Sequence, residues 1–191
     1  RLFDITEIMT FILMDPDASH QLISKCTDFL IQYISAYKKN GASGIIIAEP
    51  AAGLLSPDDC NEFSSKYIKK IVEAVQDESF MVILHNCGNT LTLVPSMIST
   101  GCQGFHFGNA VQMKDILPQI PGDILAFGNL DPAGVLRMSD AVTVKVKTKE
   151  MIEACKGYKN YIPSSGCDVP PGTPLENIGA FYDAVAEFYG K

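Results

Sequence analysis

The chain has 191 residues and a formal net charge of −7, enough length for one domain, residues 1–191, with a buried core. No segment concentrates lysine and arginine, so nothing in it attracts phosphate backbones or anionic lipid, and nucleic acid and membrane surfaces are not expected partners. The longest apolar runs, IMTFILM and FMVIL, fall far short of the roughly 20 residues a spanning helix needs. No signal peptide precedes them, and six scattered cysteines suit a reducing compartment, so the cytoplasm is the expected location. The first residue is arginine, as in a truncated or processed chain.

Asp15-Pro16 predicts a helix that reaches about Asn40 and stops at Gly41. GIIIAE (44–49) is the first of five short apolar, β-branched runs. Ser56-Pro57, with Asp59 three places after the serine, opens the next helix. FMVILH (80–85), GFHF (104–107), ILAFGN (124–129) and YIPSS (161–165) are the remaining runs. Thr173-Pro174 with Glu176 has the pattern of a capping box with proline at the first helical position. Beyond it Leu175, Ile178, Tyr182, Val185 and Tyr189 recur at helical spacing, which predicts a packed apolar face. Runs apolar on both faces and separated by helices predict an α/β fold, a string of five βα units in a parallel sheet covered on both sides.

The polar residues gather at the C-terminal strand ends. Glu49 closes the first strand, His85 and Cys87 follow the second, His106 ends the third, Asn129 and Asp131 follow the fourth, and Cys167 follows the fifth. That rim carries the active site in (β/α) barrels. Open doubly wound sheets bind ligands there too, so the edge alone leaves both architectures open.

In extended chain, side chains at i and i+2 share a face, so His85 and Cys87 can aim at one atom. An imidazole and a thiolate suit zinc. Cys167, in SSGCDVPPGTP after the last strand, is the candidate third donor and Glu49 a candidate neighbour in the fourth position. Taken alone, an H-x-C pair is more often a packed loop histidine beside an unrelated cysteine. With three protein ligands and one open position the metal would be catalytic. Zn²⁺ with two thiolates and a neutral histidine sums to zero charge. Such a centre makes hydroxide poorly but still lowers a bound thiol's pKa, which favours alkyl transfer to sulfur over hydrolysis. Glu49 and Asp131 are the candidate catalytic residues, and His106 and Asn129 the candidate cofactor contacts. Each has a simpler reading: loop capping for Glu49, helix N-capping for Asp131, a hydrogen-bonded packed ring for His106. Asp168 reads as a brace for the turn before Pro170-Pro171, His20 as a solvated helix residue, and Cys26, Cys60, Cys102 and Cys155 as ordinary helix or core positions.

HNCG (85–88), GNLDP (128–132) and GCDVPPGTPLENI (166–178) together resemble the uroporphyrinogen decarboxylase superfamily, specifically its corrinoid-dependent, methylcobamide:coenzyme M methyltransferase-like branch. The resemblance implies a (β/α)8 TIM barrel of which this chain holds only the C-terminal five βα units. It further implies zinc on His85, Cys87 and Cys167, a small thiol such as coenzyme M as acceptor, and a methyl-corrinoid, presented by a separate corrinoid protein, as co-substrate. The chain lacks the D-x-H-x-x-G pattern of a dedicated cobalamin domain. Two alternatives stand beside the methyltransferase: a decarboxylase of the same superfamily, which uses an aspartate and substrate-gripping arginines without metal, and a non-catalytic metal-binding fragment. Five strands in place of eight would leave two open sheet edges, so a homo-oligomer is expected.

Overall fold

The structure, a computed structural model, describes residues 4–190. Helix α1 (Ile5–Met14) begins in a reciprocal cap: the Asp4 carboxylate accepts from the Glu7 backbone N–H while the Glu7 carboxylate accepts from that of Asp4. Asp15 ends α1 and starts α2 (Pro16–Lys39), its carboxylate accepting from Ala18 N at 3.0 Å. Then come β1 (Gly44–Glu49), α3 (Pro57–Cys60), a π-helical turn (Asn61–Ser65), α4 (Lys66–Val75), β2 (Met81–Asn86) and α5 (Val94–Ile98). Strand β3 (Gly104–Phe107), α6 (Met113–Ile116), β4 (Leu125–Leu130), a second π-helical turn (Pro132–Arg137), α7 (Ala141–Cys155), β5 (Tyr161–Ser165) and α8 (Leu175–Tyr189) complete the chain.

The five strands are all parallel and lie in the order β1-β2-β3-β4-β5. A doubly wound sheet reverses its order at a switch point; this one never does. Crossovers of constant hand that always step the same way lay the helices along one face, as in an arc of a barrel. The core fills that helix-covered face: Val82, Leu84, Phe105, Phe107 and Ala126 pack with Ile68, Ile71, Met97, Ile116 and Leu117, all buried. The opposite face is concave and open, with Ile46 59% exposed, which corrects the expectation of a sheet covered on both sides. No helix among the described residues is long and apolar enough to cross a membrane.

The last helix departs from its sequence pattern twice. No side chain caps it, because the Thr173 hydroxyl turns back to donate to Pro170 O at 2.8 Å. Its buried face is Asn177, Ala180 and Ala184, and Leu175 and Tyr182 are 83% and 66% exposed. Small residues let α8 approach closely, Ala180 joining a cluster with Leu130, Leu136 and Val144, while Asn177 Nδ2 donates to the carbonyls of Leu136 and Ser139.

Candidate metal centre

Strand parity sorts the predicted residues before any distance is considered. In parallel pairing His85 is level with Ala48 on β1 and His106 on β3, so these share the concave face. Glu49 is level with Asn86 and shares the helix-covered face. Its carboxylate therefore turns away from the rim centre, into a pocket of about 240 Å³ under α1, where it accepts from Ser64 Oγ at 2.8 Å. Burial pushes its pKa up to about 6, the Ser64 hydrogen bond working in the opposite direction.

Three loops hold the two sulfurs in place. Gly88, with φ of +82°, turns the chain straight after Cys87. A Cβ on Gly53 would lie 2.0 Å from Cys87 O, so the loop after β1 presses directly on the cysteine's backbone. After β5, Gly166 N donates to Leu130 O at 2.7 Å and Ser165 Oγ to Cys167 O at 2.8 Å, folding Cys167 back over the rim.

His85 Nε2, Cys87 Sγ and Cys167 Sγ consequently lie within 4.8 Å of one another. The edges of this triangle are 2.9 Å from His85 Nε2 to Cys87 Sγ, 3.6 Å between the sulfurs, and 3.7 Å from Cys167 Sγ to His85 Nε2. The sulfurs are too far apart for a disulfide, and both cysteines are free. A tetrahedral zinc with bonds of about 2.3 Å to sulfur and about 2.0 Å to nitrogen sets sulfurs about 3.8 Å apart and sulfur about 3.5 Å from nitrogen. Two edges match, and the third opens by about 0.6 Å on a small turn of the Cys87 side chain. The donor set fits the ion.

The electrostatics agree with that fit. Burial lowers the pKa of His85, which keeps the ring neutral with a lone pair to offer. Burial first, then the neighbouring Cys167, pushes the Cys87 thiol up to about 11. Without a cation between them the two sulfurs cannot share the site as thiolates, so Cys87 is no ready nucleophile on its own.

His106 packs against His85, with ring centroids 4.6 Å apart. Its Nδ1 is 2.6 Å from His85 Nδ1, and its Nε2 is 2.8 Å from Ser165 O and 3.2 Å from Ser164 Oγ. Strands β3 and β5 are separated by β4, about 10 Å in a flat sheet, so this contact registers how strongly the sheet curls. Asp168 is exposed beside the cluster, and its charge acts on His85, Cys87 and His106 alike.

The other predicted residues lie outside the triangle. Asp131 Oδ1 accepts from Ala133 N and Gly134 N, both at 2.9 Å, and so caps the second π-helical turn. Asn129 Nδ2 donates to Gly108 O at 3.0 Å and Val111 O at 2.7 Å, tying down the loop after β3. His20 is bonded rather than solvated: it meets Tyr67 Oη at 2.7 Å and Glu62 Oε1 at 2.9 Å and stacks on Phe63. Cys60, Cys102 and Cys155 are buried, and Cys26 is half-buried. Sequence reasoning missed Ser164, Ser165 and Gly53. The serine pair directly before Gly166-Cys167 was the available signal, since one of two successive strand residues must face the rim's centre.

Sheet order and the strand-end cluster define a protein of the (β/α) barrel class, represented here by five βα units. The chain belongs to the uroporphyrinogen decarboxylase (URO-D) family, whose description matches residues 2–188. It is 33% identical over 178 residues to a uroporphyrinogen decarboxylase of Christiangramia forsetii, covering 93% of this chain and 51% of that protein. It is 31% identical over 159 residues to the methylcobamide:CoM methyltransferase MtbA of Methanosarcina mazei, covering 82% of this chain and 45% of that one. A solved methyltransferase structure from Methanosarcina mazei superposes with a TM-score of 0.86 at 28% identity, over 98% of this chain and 55% of that chain. The chain thus spans about half the length of the curated relatives it matches.

Proposed function

We propose that these residues supply the metal-holding rim of a zinc-dependent methyltransferase that moves a methyl group from a methyl-corrinoid to a small thiol such as coenzyme M. The observation that carries the reading is the convergence of one imidazole nitrogen and two sulfurs, from positions 85, 87 and 167, within 4.8 Å. Bound there, zinc would lower the pKa of a thiol entering the open position, so that sulfur sheds its proton near neutral pH and keeps its nucleophilic lone pairs. With zinc bound, His85 would contribute a neutral nitrogen, and Cys87 and Cys167 two negative charges that offset the ion's and keep the incoming sulfur electron-rich. The open concave face gives a bulky co-substrate access to the rim. The substrate sulfur forms the new S–C bond as the Co–C bond breaks, both electrons of that bond staying on cobalt and the thiol's proton passing to solvent. A separate corrinoid protein is the expected donor, and the six free cysteines suit a cytoplasmic setting.

The name of the Christiangramia forsetii relative favours a second reading, decarboxylation of a porphyrinogen. A metal-free decarboxylation leaves the two thiols and the imidazole without a task, and for that reason the methyltransferase is preferred. Metal analysis decides between them. About one zinc per chain is expected, lost on Cys87→Ala or Cys167→Ser and kept in Cys155→Ser, whose thiol is buried and absent from the triangle. Equal zinc content in all three variants removes the reading.

A further inference from the structure

The two rings at the rim form a directed chain of hydrogen bonds whose proton positions are fixed by their ends. A carbonyl oxygen only accepts, so His106 Nε2, 2.8 Å from Ser165 O, carries the hydrogen. The two Nδ1 atoms, 2.6 Å apart, share a single hydrogen, and with Nε2 of His106 already donating, its Nδ1 is the accepting lone pair. His85 Nδ1, 2.6 Å from that lone pair and 3.1 Å from His106 O, faces two acceptors and must carry hydrogen itself. The one lone pair left on His85 is then on Nε2, the atom turned toward Cys87 Sγ and Cys167 Sγ.

We infer that His106 is a positioning residue for the metal centre: its Nδ1 accepts the His85 Nδ1 proton, locks that ring's rotation and tautomer, and presents His85 Nε2 to the metal. This rests on the metal reading above. Metal-bound histidines commonly donate their second nitrogen to a carboxylate or carbonyl, which orients the ring and strengthens it as a ligand. Here an imidazole stands in that place, anchored in turn on a strand end. The same strand end governs another ligand, since Ser165 offers its carbonyl to His106 and its hydroxyl to Cys167 O. A donor on β2, a ring on β3 and the Cys167 loop after β5 are thereby coupled through side chains on the concave face.

The test separates the ring from the backbone carbonyl at 3.1 Å, which survives any substitution. His106→Phe keeps the ring's shape and removes the acceptor. His106→Asn puts an amide oxygen near the position of Nδ1. Zinc affinity is measured by chelator competition, and the His85 tautomer is read in zinc-free protein from long-range proton–nitrogen NMR of ¹⁵N-histidine-labelled chain. The parent is expected to show His85 protonated on Nδ1 with a strongly downfield proton. In His106→Phe that signal is lost or moves upfield and zinc binds about tenfold or more weakly, while His106→Asn recovers most of the affinity. A thermal melt of the zinc-free variants shows that each is folded, a requirement that His106→Asn meets independently if the phenylalanine variant fails. Parent-like affinity and an unshifted His85 signal in folded His106→Phe overturn the assignment and leave the metal reading standing. Failure of the parent to take up zinc overturns the metal reading and the assignment with it.

Discussion

Glu49 places an ionisable carboxyl in an apolar pocket, and its titration makes stability depend on pH in a direction opposite to most carboxylates, a dependence that replacement by glutamine removes. Its pKa rises from 4.5 to about 6, burial being the main cause. The folded chain therefore holds this proton more tightly than the unfolded chain does. The stability it contributes is complete below pH 4.5 and lost as pH rises through 6. A rise from 4.5 to about 6 corresponds to about 2 kcal/mol, an upper figure because Glu49 is only half-buried. For a chain of this size that is about 4–8 °C in Tm. Glu49→Gln retains an oxygen to accept from Ser64 and removes the charge. The variant is expected to match the parent near pH 4 and to exceed it by up to about 2 kcal/mol at pH 8. Calorimetric melts of both proteins across that range give the difference curve, in which the titrations of His85, His106 and the surface carboxylates cancel. A flat difference between pH 4 and 8, or a variant that falls below the parent as pH rises, refutes the reasoning.

Gly53→Ala forces a methyl to within 2.0 Å of Cys87 O unless a loop moves. A loss of at least about 2 kcal/mol in urea unfolding and tenfold weaker zinc binding are expected although all three ligands remain; parent-like values show that the loops are not pressed together. Asn86 is fully buried, and neither end of its amide has a hydrogen-bond partner. Asn86→Leu should raise the urea midpoint by the equivalent of about 1–3 kcal/mol, and a fall of that size would reveal a partner for the amide. Among the described residues strands β1 and β5 each pair on one side only, so the 191-residue chain is expected to self-associate through these edges, and a monodisperse monomer in light scattering contradicts it.

The strands were legible because each is a short apolar run bounded by turn residues. Only β2 and β4 start one residue late, since Phe80 N and Ile124 N are engaged in turns with Asp77 O and Pro121 O. The bounds of helix α7 are not legible in the sequence because AVTVKVKT alternates with the period of a strand, whereas the helix buries Val144, Thr148, Ile152 and Cys155. The buried face of α8 departs from its hydrophobic stripe because close approach between helices selects small residues, here Ala180 and Ala184. At the rim, i and i+2 spacing was enough to align His85 with Cys87. The same parity sets Glu49 apart: it lies one register step beyond Ala48, the residue level with His85, and one step is the other face. The His85–His106–Ser165 chain was beyond reach of the sequence, because it exists only where the sheet curls enough for β3 and β5 to meet across β4.

Asp15 terminates one helix and caps the next, so α1 reaches α2 with no linker to absorb error. The two backbone angles of that residue, φ −144° and ψ 77°, alone set where the ten-residue rod comes to rest. Such a rod is about 15 Å long, and a 10° change at the pivot swings its far end by about 2.6 Å. Ile8, Met9 and Ile12 on that rod wall the chamber containing Glu49. A lesion at residue 15 would therefore be felt first as a wetter, more acidic carboxyl 34 positions away.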